Sequence, residues 1–223
     1  MVKIIKGCIM NLPNKITLCR ICLIPLFVFF FLADFVPYGK LIAACLFAIA
    51  CFTDFLDGNI ARKRGLVTNM GKFLDPIADK VLVMAGLIVA IACPITANGG
   101  VNPAQPILGP SWVGIVAVVI ILAREFVVSA FRQIAATKKL VLTADMYGKV
   151  KAVFQFITLI YYFVYAFIVE EFYYAIAGTA NTVLGIVGYV FLAITVILTI
   201  ISGIKYIVGN RQVFKDEPKE ETK

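Results

Sequence analysis

Long apolar stretches constrain the fold of this chain more than any other feature of its sequence. Hydrophobic residues make up 61% of the 223 residues. They recur in runs of about 20 residues or more, the length at which an apolar helix crosses a bilayer. The sequence therefore predicts an all-α integral membrane protein, a bundle of six transmembrane helices. The predicted spans are approximately 14–34, 40–63, 75–97, 111–136, 146–170 and 180–208.

Short or Gly/Pro-rich segments separate the predicted spans, and no segment has the composition of a separate soluble domain. The clearest breaks fall at Pro37–Gly39, Asn98–Pro110 and Gly178. We expect a single transmembrane domain over residues 1–223. Within it, residues 1–10 are expected to form an interfacial N-terminal segment and residues 209–223 a cytoplasmic tail of mixed charge. The last span, rich in Ile, Val, Leu and Gly, is expected only to pack.

Basic residues fall almost entirely on one side of the predicted bundle. If the N-terminus is inside and the chain crosses six times, Lys40 is the single member of the 21 lysines and arginines that lies outside. Cytoplasmic loops carry the excess of Lys and Arg in membrane proteins, so both termini are predicted to be cytoplasmic. The net charge of +8 is then concentrated where anionic headgroups and phosphorylated substrates lie. We expect no nucleic-acid partner, because this charge is spread over loops beside the membrane.

The six cysteines lie in or beside apolar segments, at positions 8, 19, 22, 45, 51 and 93. Cys19 and Cys22 have metal-ligand spacing, but the chain has no histidine and no second pair of this kind. Packing is therefore the better interpretation of this pair. We expect all six cysteines to be unbridged thiols.

Four aspartates interrupt the apolar pattern at the second and third spans. The stretch reads Asp54-x2-Asp57-Gly58-x2-Ala61-Arg62-x8-Gly71-x3-Asp75-x3-Asp79. At about 100° per residue, the first two aspartates fall on one helical face and the last two share a face of the next helix. The small residues beside them allow two helix backbones to approach closely. Ionisable groups at membrane depth indicate a functional site.

Four carboxylates brought together repel one another and cannot all be ionised at neutral pH without a compensating cation. Oxygen-only ligands and the absence of histidine favour Mg²⁺ or Mn²⁺ over zinc, and four carboxylates suit a site with two ions. The alternative is a set of salt bridges in which an aspartate of the first pair faces Arg62, Lys72 or Lys80. Ion pairing requires neither this spacing nor four acids among so few bases.

The position of Asp54 along its span predicts the depth of the site. Asp54 lies 14 residues after Lys40, which places it roughly 21 Å into a hydrocarbon core of about 30 Å. A site in the inner third, open to the cytoplasm, could meet the diphosphate of a lipid whose tails stay in the bilayer. Asp75-Pro76 also has the pattern of a helix start. In that case residues 65–74 form a turn and Gly71 stands outside the helix.

At every specified position, the acidic stretch resembles the signature of the CDP-alcohol phosphotransferase family of integral membrane enzymes. The resemblance implies transfer of the phosphatidyl group of a CDP-linked lipid to an alcohol, with release of CMP. It implies that Asp79 is the general base for the attacking hydroxyl, that Arg62 contacts the nucleotide diphosphate, and that the protein is a homodimer. The residues expected to bind two ions of Mg²⁺ or Mn²⁺ are Asp54, Asp57, Asp75 and Asp79. Those expected to bind the CDP-lipid are Asn14, Thr17, Gly58, Ala61, Arg62 and Gly71.

The inner end of the first span admits two interpretations. Asn14, Thr17 and Arg20 follow one another at three-residue steps, and the resemblance implies a supporting role at the nucleotide end of the site. Helix capping together with snorkelling of the Arg20 side chain to the membrane surface explains the same residues without a ligand.

Basic residues at the inner ends of the fourth and fifth spans are candidates for binding a phosphorylated acceptor. Arg124 and Arg132 are eight residues apart, about two turns, and so point the same way. Arg124 lies in an apolar run, where it requires Glu125, another carboxylate or an anionic ligand. With Lys149 and Lys151 the arginines would form a phosphate pocket, since guanidinium groups bind phosphate oxygens bidentately. The alternative is the ordinary excess of basic residues on the inner side.

Three short segments narrow the resemblance to the branch of the family that uses glycerol 3-phosphate as acceptor. They are Leu-Pro-Asn at 12–14, Arg-Glu-Phe at 124–126 and Gly-Lys-x-Lys at 148–151, and the similarity extends over most of residues 11–214. The expected substrates are CDP-diacylglycerol and glycerol 3-phosphate, at the inner or plasma membrane. Inositol phosphate and phosphatidylglycerol are the alternative acceptors. Outside the family the alternative is a small ion-coupled carrier, but carriers favour midplane sites and internal repeats, and no repeat is evident.

Overall fold

A computed structural model describes most of the apolar part of the chain. The residues described are 12–33, 35–64, 69–92, 94–97, 100–106, 111–138, 146–176 and 179–211. The side chains described are those of residues 16–33, 35–53, 74, 77–92, 112–136, 138, 146–172 and 180–211. The predicted segment 1–10 and most of the predicted tail lie outside these residues.

Six helices and one β-hairpin lie in the described residues. The helices are α1 (Leu12–Leu32), α2 (Gly39–Arg64), α3 (Asn69–Ala92), α4 (Ser111–Thr137), α5 (Met146–Ile176) and α6 (Thr179–Gly209). The hairpin strands are β1 (Pro94–Ala97) and β2 (Gly100–Pro106), which pair antiparallel between α3 and α4. Each predicted span therefore corresponds to a helix over most of its length.

The helices differ in how clearly they qualify as membrane spans. Within the described residues, three are long and apolar enough to cross a bilayer, judged by length and composition: Trp112–Ala136, Met146–Phe172 and Ala180–Gly209. The apolar parts of α1 and α2 are shorter, Ile16–Leu32 and Gly39–Thr53. The predicted class of helical membrane protein is confirmed, and the count of six spans with cytoplasmic termini stays a prediction.

The third span differs from the prediction at both ends. Helix α3 ends at Ala92, and residues 94–97 form β1. Pro94 lacks the backbone N–H that a helix uses and so favours a helix end, and the Asn98-Gly99 dipeptide is typical of a two-residue hairpin turn. At the other end α3 already begins at Asn69, so the alternative in which residues 69–74 belong to a turn was wrong. Membrane helices tolerate an internal proline such as Pro76.

Four phenylalanines at the centre of the core join α1, α2 and α5. The rings of Phe27 and Phe47 have centroids 5.3 Å apart, and Phe163 lies 5.2 Å from Phe27, 5.2 Å from Phe31 and 5.1 Å from Phe47. All four are buried. Aromatic pairs at these separations each contribute roughly 0.5–1.5 kcal/mol beyond their buried area. The cluster therefore fixes α1 and α2 against α5.

Contacts at the two ends of the bundle show how the helices run. Near the start of α2, the Lys40 Nζ atom lies 3.1 Å from Glu170 Oε1 near the end of α5. At the start of α5, Lys151 contacts Glu125 in the second half of α4. Helix α5 therefore runs antiparallel to α2, as the Phe47–Phe163 contact also indicates. We call these two ends the Lys40 end and the Lys151 end.

Cysteines at positions 19, 22, 45 and 51 form no disulfide bond, which confirms the expectation of unbridged thiols for these four. Cys8 and Cys93 lie outside the described residues. Cys19 and Cys22 are exposed on α1, and the interpretation of this pair as packing residues stays a prediction.

Candidate active site

The four predicted metal ligands lie on two continuous helices. Helix α2 extends through Asp54 and Asp57, and α3 through Asp75 and Asp79. Within each helix the spacing places both aspartates on one face. Of the four side chains only Asp79 is described, and it is half-buried. Among the described side chains no group of three or more acids, cysteines or histidines comes together, so the metal site stays a prediction.

The predicted CDP-lipid residues lie on the first three helices. Gly58, Ala61 and Arg62 belong to the last turns of α2, and Gly71 to the first turn of α3. Their side chains, and that of Asn14 in the first turn of α1, lie outside the described side chains. Helix α1 packs against both α2 and α3.

Two polar residues of α1 face the protein. Thr17 and Arg20 are buried, with 0% and 1% of their surface exposed. They continue the buried stripe of Ile24 and Phe27 at helical spacing. A snorkelling arginine would expose its guanidinium group, so that interpretation of Arg20 was wrong. The role that the resemblance implies for Thr17 is untested, but its side chain is inside the bundle.

A charged cluster lies at the Lys151 end, and we call it the Arg–Glu–Lys cluster: Arg124 and Glu125 of α4 and Lys151 of α5. The Lys151 ammonium donates a hydrogen bond to Glu125 Oε1. Nη1 of Arg124 lies 3.8 Å from the same oxygen. The Lys151 side chain is 0% exposed and that of Glu125 is 26% exposed. Arg124 thus has the carboxylate partner that an apolar helix requires, and one acid holds two cations.

Helix α6 positions the arginine of this cluster. Arg124 Nη2 donates a hydrogen bond of 2.5 Å to Ser202 Oγ. A Cβ atom added at Gly203 would stand 3.1 Å from Arg124 Cγ, so a larger residue there would displace the arginine. The expectation that the last span only packs was wrong. A Ser-Gly pair in an aliphatic helix is a sign of close helix contact, and it could have revealed this role.

Helix α3 brings a second acid towards the cluster. The Asp79 carboxylate is near enough for its charge to act on the Lys151 ammonium, but more weakly than the charges of Glu125 and Arg124. Two turns farther along, a Cβ atom added at Gly86 would stand 3.2 Å from Leu159 Cδ1. Helices α3 and α5 therefore run side by side in the same direction. The predicted general base and a predicted acceptor residue lie at the same level of the bundle.

The remaining two predicted acceptor residues are placed differently. The guanidinium carbon of Arg132 lies 5.8 Å from the ring centroid of Tyr206 on α6, and the arginine is exposed. Lys149 is exposed, whereas Lys151 is buried, because residues two apart point to different sides of a helix. The structure brings Arg124 and Lys151 together through Glu125 and leaves Lys149 on another side of α5.

Comparison with known proteins finds one family and relatives whose names describe the same kind of enzyme. The sequence model of the family described as CDP-alcohol phosphatidyltransferase matches residues 10–203. A CDP-diacylglycerol–glycerol-3-phosphate 3-phosphatidyltransferase of Bacillus subtilis is 44% identical over 152 residues, 63% of this chain and 70% of that protein. A Rickettsia bellii protein of the same name is 34% identical over 204 residues, 92% of this chain and 97% of that protein. A probable phosphatidylglycerophosphate synthase of Mycobacterium tuberculosis is 32% identical over 201 residues, 89% of this chain and 81% of that protein.

Proposed function

The chain belongs to the CDP-alcohol phosphatidyltransferase family, and from this premise we propose that it transfers the phosphatidyl group of CDP-diacylglycerol to glycerol 3-phosphate. The products are phosphatidylglycerophosphate and CMP, which makes the protein a phosphatidylglycerophosphate synthase of phospholipid biosynthesis. The names of its relatives from Bacillus and Rickettsia support this donor and this acceptor.

The observation that carries the choice of acceptor is the Arg–Glu–Lys cluster. Its two cations, Arg124 and Lys151, share one carboxylate, that of Glu125. A phosphorylated alcohol supplies an anion that an arginine and a lysine can bind together. Arg124 presents a planar fork of donors suited to phosphate oxygens, and Ser202 fixes its orientation.

The residues at this level can carry out the transfer as follows. Arg124 and Lys151 hold the phosphate of glycerol 3-phosphate, which places its free primary hydroxyl beside Asp79. Asp79 takes the proton of that hydroxyl as its oxygen attacks the phosphatidyl phosphorus. The bond between this phosphorus and the bridging oxygen breaks, and CMP leaves with the electron pair. Thr17 and Arg62 support the nucleotide end.

The donor set fits two divalent ions. Asp54 and Asp57 fall on one face of continuous α2, and Asp75 and Asp79 on one face of continuous α3. These are oxygen ligands of the type that Mg²⁺ and Mn²⁺ prefer. When bound, the ions would neutralise the charge that develops on the diphosphate.

The proposal includes an orientation in the membrane. All six helices cross it, both termini are cytoplasmic, and the active site faces the cytoplasm at the inner or plasma membrane. The support is the distribution of basic residues, with Lys40 at the opposite end of α2 and α5 from the Arg–Glu–Lys cluster. The homodimer implied by the family resemblance is part of the proposal.

Release of CMP from CDP-diacylglycerol by the purified protein in detergent, measured with a panel of acceptors, tests this function. Release that requires both glycerol 3-phosphate and Mg²⁺ or Mn²⁺ is the expected result. Equal release with inositol phosphate or phosphatidylglycerol, or ion uptake into vesicles without CMP release, would contradict the proposal.

A further inference from the structure

Gln155 on α5 is a buried residue whose amide nitrogen is not satisfied. It is 2% exposed, and its Nε2 atom has no hydrogen-bond partner among the residues that the structure describes. Burial of an amide without a partner destabilises a folded protein. Such a group in a native protein therefore requires an explanation, and neither the fold nor the mechanism above uses Gln155.

Its neighbours on α5 place Gln155 beside the active site. Gln155 lies one helical turn after Lys151 and one turn before Leu159, so the three share a face of the helix. Lys151 contacts Glu125 in the Arg–Glu–Lys cluster, and a Cβ atom added at Gly86 of α3 would stand 3.2 Å from Leu159 Cδ1. Gln155 therefore lies on the face of α5 that packs against α3, one turn from the Arg–Glu–Lys cluster towards the Lys40 end.

The chemistry of the amide restricts what it can bind. It is neutral, and it offers both donors and an acceptor. The neighbouring turns of α3 and α5 have buried apolar side chains, namely Leu82, Val83 and Leu159. An anion would find no charge compensation from Gln155, whereas a hydroxyl group can both accept from the amide and donate to it. The expected partner is a neutral hydroxyl.

We infer that Gln155 binds the C2 hydroxyl of glycerol 3-phosphate and is a specificity-determining residue for a polyol phosphate. This inference rests on the proposed function, which assigns the phosphate to Arg124 and Lys151 and the attacking C1 hydroxyl to Asp79. The middle hydroxyl is the group left without a partner. The separation between it and the phosphate is comparable with one helical turn, the step from Lys151 to Gln155.

The test compares glycerol 3-phosphate with 3-hydroxypropyl phosphate, which keeps the phosphate and the attacking hydroxyl and lacks the C2 hydroxyl. The wild-type protein is expected to prefer glycerol 3-phosphate by roughly tenfold or more in kcat/KM. In Gln155→Met, whose side chain has a similar length and no amide, the preference should fall to about one. Gln155→Leu serves if the methionine variant does not fold.

Thr158→Val is the matched control on the same helix. The Thr158 hydroxyl is 2.8 Å from both the Phe154 carbonyl oxygen and Thr195 Oγ1, so its hydrogen bonding is satisfied within the protein. This variant should lose thermal stability and keep the preference for glycerol 3-phosphate. Gln155→Met should keep or gain thermal stability without ligand, because it removes an unpartnered buried group.

A wild-type preference that persists in Gln155→Met would overturn the inference and leave the proposed function intact. An equal loss with both acceptors would also overturn it, since that result indicates a structural role. If the wild-type protein releases no CMP with glycerol 3-phosphate, the proposed function fails and the inference fails with it.

Discussion

Two buried lysines at opposite ends of the bundle have different surroundings. Lys40 at one end pairs with Glu170, and Lys151 at the other pairs with Glu125. The two lysine side chains are similarly buried, with 6% and 0% exposed, and the two glutamates are similarly accessible, with 30% and 26% exposed. In burial alone the pairs are nearly equivalent.

The pairs differ in how many cations one carboxylate holds. Among the described side chains, Glu170 forms an ion pair with Lys40 alone, whereas Glu125 contacts both Lys151 and Arg124. The first pair is neutral and joins α2 to α5. The cluster around Glu125 has two cations to one carboxylate. We expect the Lys40–Glu170 pair, with one cation and one carboxylate, to stabilise the fold. We expect the Arg–Glu–Lys cluster, with two cations, also to bind an anionic ligand.

The largest expected effect comes from the acid beside the unbalanced cluster. Asp79→Asn should lower turnover about 10²- to 10⁴-fold, because the variant loses the proton acceptor while keeping the shape of the side chain. CMP release measures the effect, and an unchanged thermal midpoint shows that the fold is intact. Turnover near that of the wild-type protein would remove Asp79 as the general base.

Replacing Lys151 should have the next largest effect. Lys151→Met removes the ammonium and keeps most of the side-chain volume, so the KM for glycerol 3-phosphate should rise roughly 100-fold while the KM for CDP-diacylglycerol changes little. The same substitution at Lys40 is the control and should leave both KM values unchanged. Similar KM changes in the two variants would mean that the ends of the bundle do not differ in function.

Breaking each pair from its acidic side sharpens the comparison. Glu125→Gln frees both cations of the cluster from their shared carboxylate, so the KM for glycerol 3-phosphate should rise roughly tenfold as the phosphate ligands lose their fixed positions. Glu170→Gln should lower the free energy of unfolding by about 3 kcal/mol at most, which appears as a lower thermal midpoint. The KM for glycerol 3-phosphate should be unchanged. Steady-state kinetics and thermal unfolding of both variants decide the outcome. A Glu125→Gln variant that only loses stability would reduce that residue to a structural role.

The smallest effect is expected for Arg132, and it contrasts with a larger effect for Arg124 on the same helix. Arg124→Gln should raise the KM for glycerol 3-phosphate, because Arg124 belongs to the cluster. Arg132→Gln should change it only a few-fold, because Arg132 is exposed and packs over Tyr206. Acceptor titrations of the two variants test this order. If neither KM changes, the predicted phosphate pocket on α4 is wrong.

Much of the fold could be predicted from the sequence because hydropathy is a local property. Each apolar run predicted a helix. The predicted helix ends were wrong in two places, at the end and at the start of the third span. Pro94 and Asn98-Gly99 favoured a hairpin in place of the end of the third span, and α3 began at Asn69, ahead of the proline that suggested its start.

The candidate site was predictable in its types of residue and less so in its contacts. The buried Arg124 required a carboxylate, and the structure supplies Glu125. The Ser202-Gly203 pair indicated a close helix contact, but which side chain it meets depends on which helices are neighbours. The burial of Gln155 depends on the same packing and has no local signal. The two-residue spacing of Lys149 and Lys151 already indicated that they lie on different faces of the helix. The prediction nevertheless grouped them in one pocket because both are basic.

The most direct test of the difference between the two ends is ligand-induced thermal stabilisation, which does not depend on turnover. Glycerol 3-phosphate is titrated into the wild-type protein, Lys40→Met and Lys151→Met, and the midpoint of thermal unfolding is followed. A ligand that binds the folded state raises the midpoint by an amount that grows with the logarithm of its concentration relative to its Kd. We expect a concentration-dependent rise in the wild-type protein and in Lys40→Met and none in Lys151→Met. A rise of the same size in Lys151→Met would contradict the account.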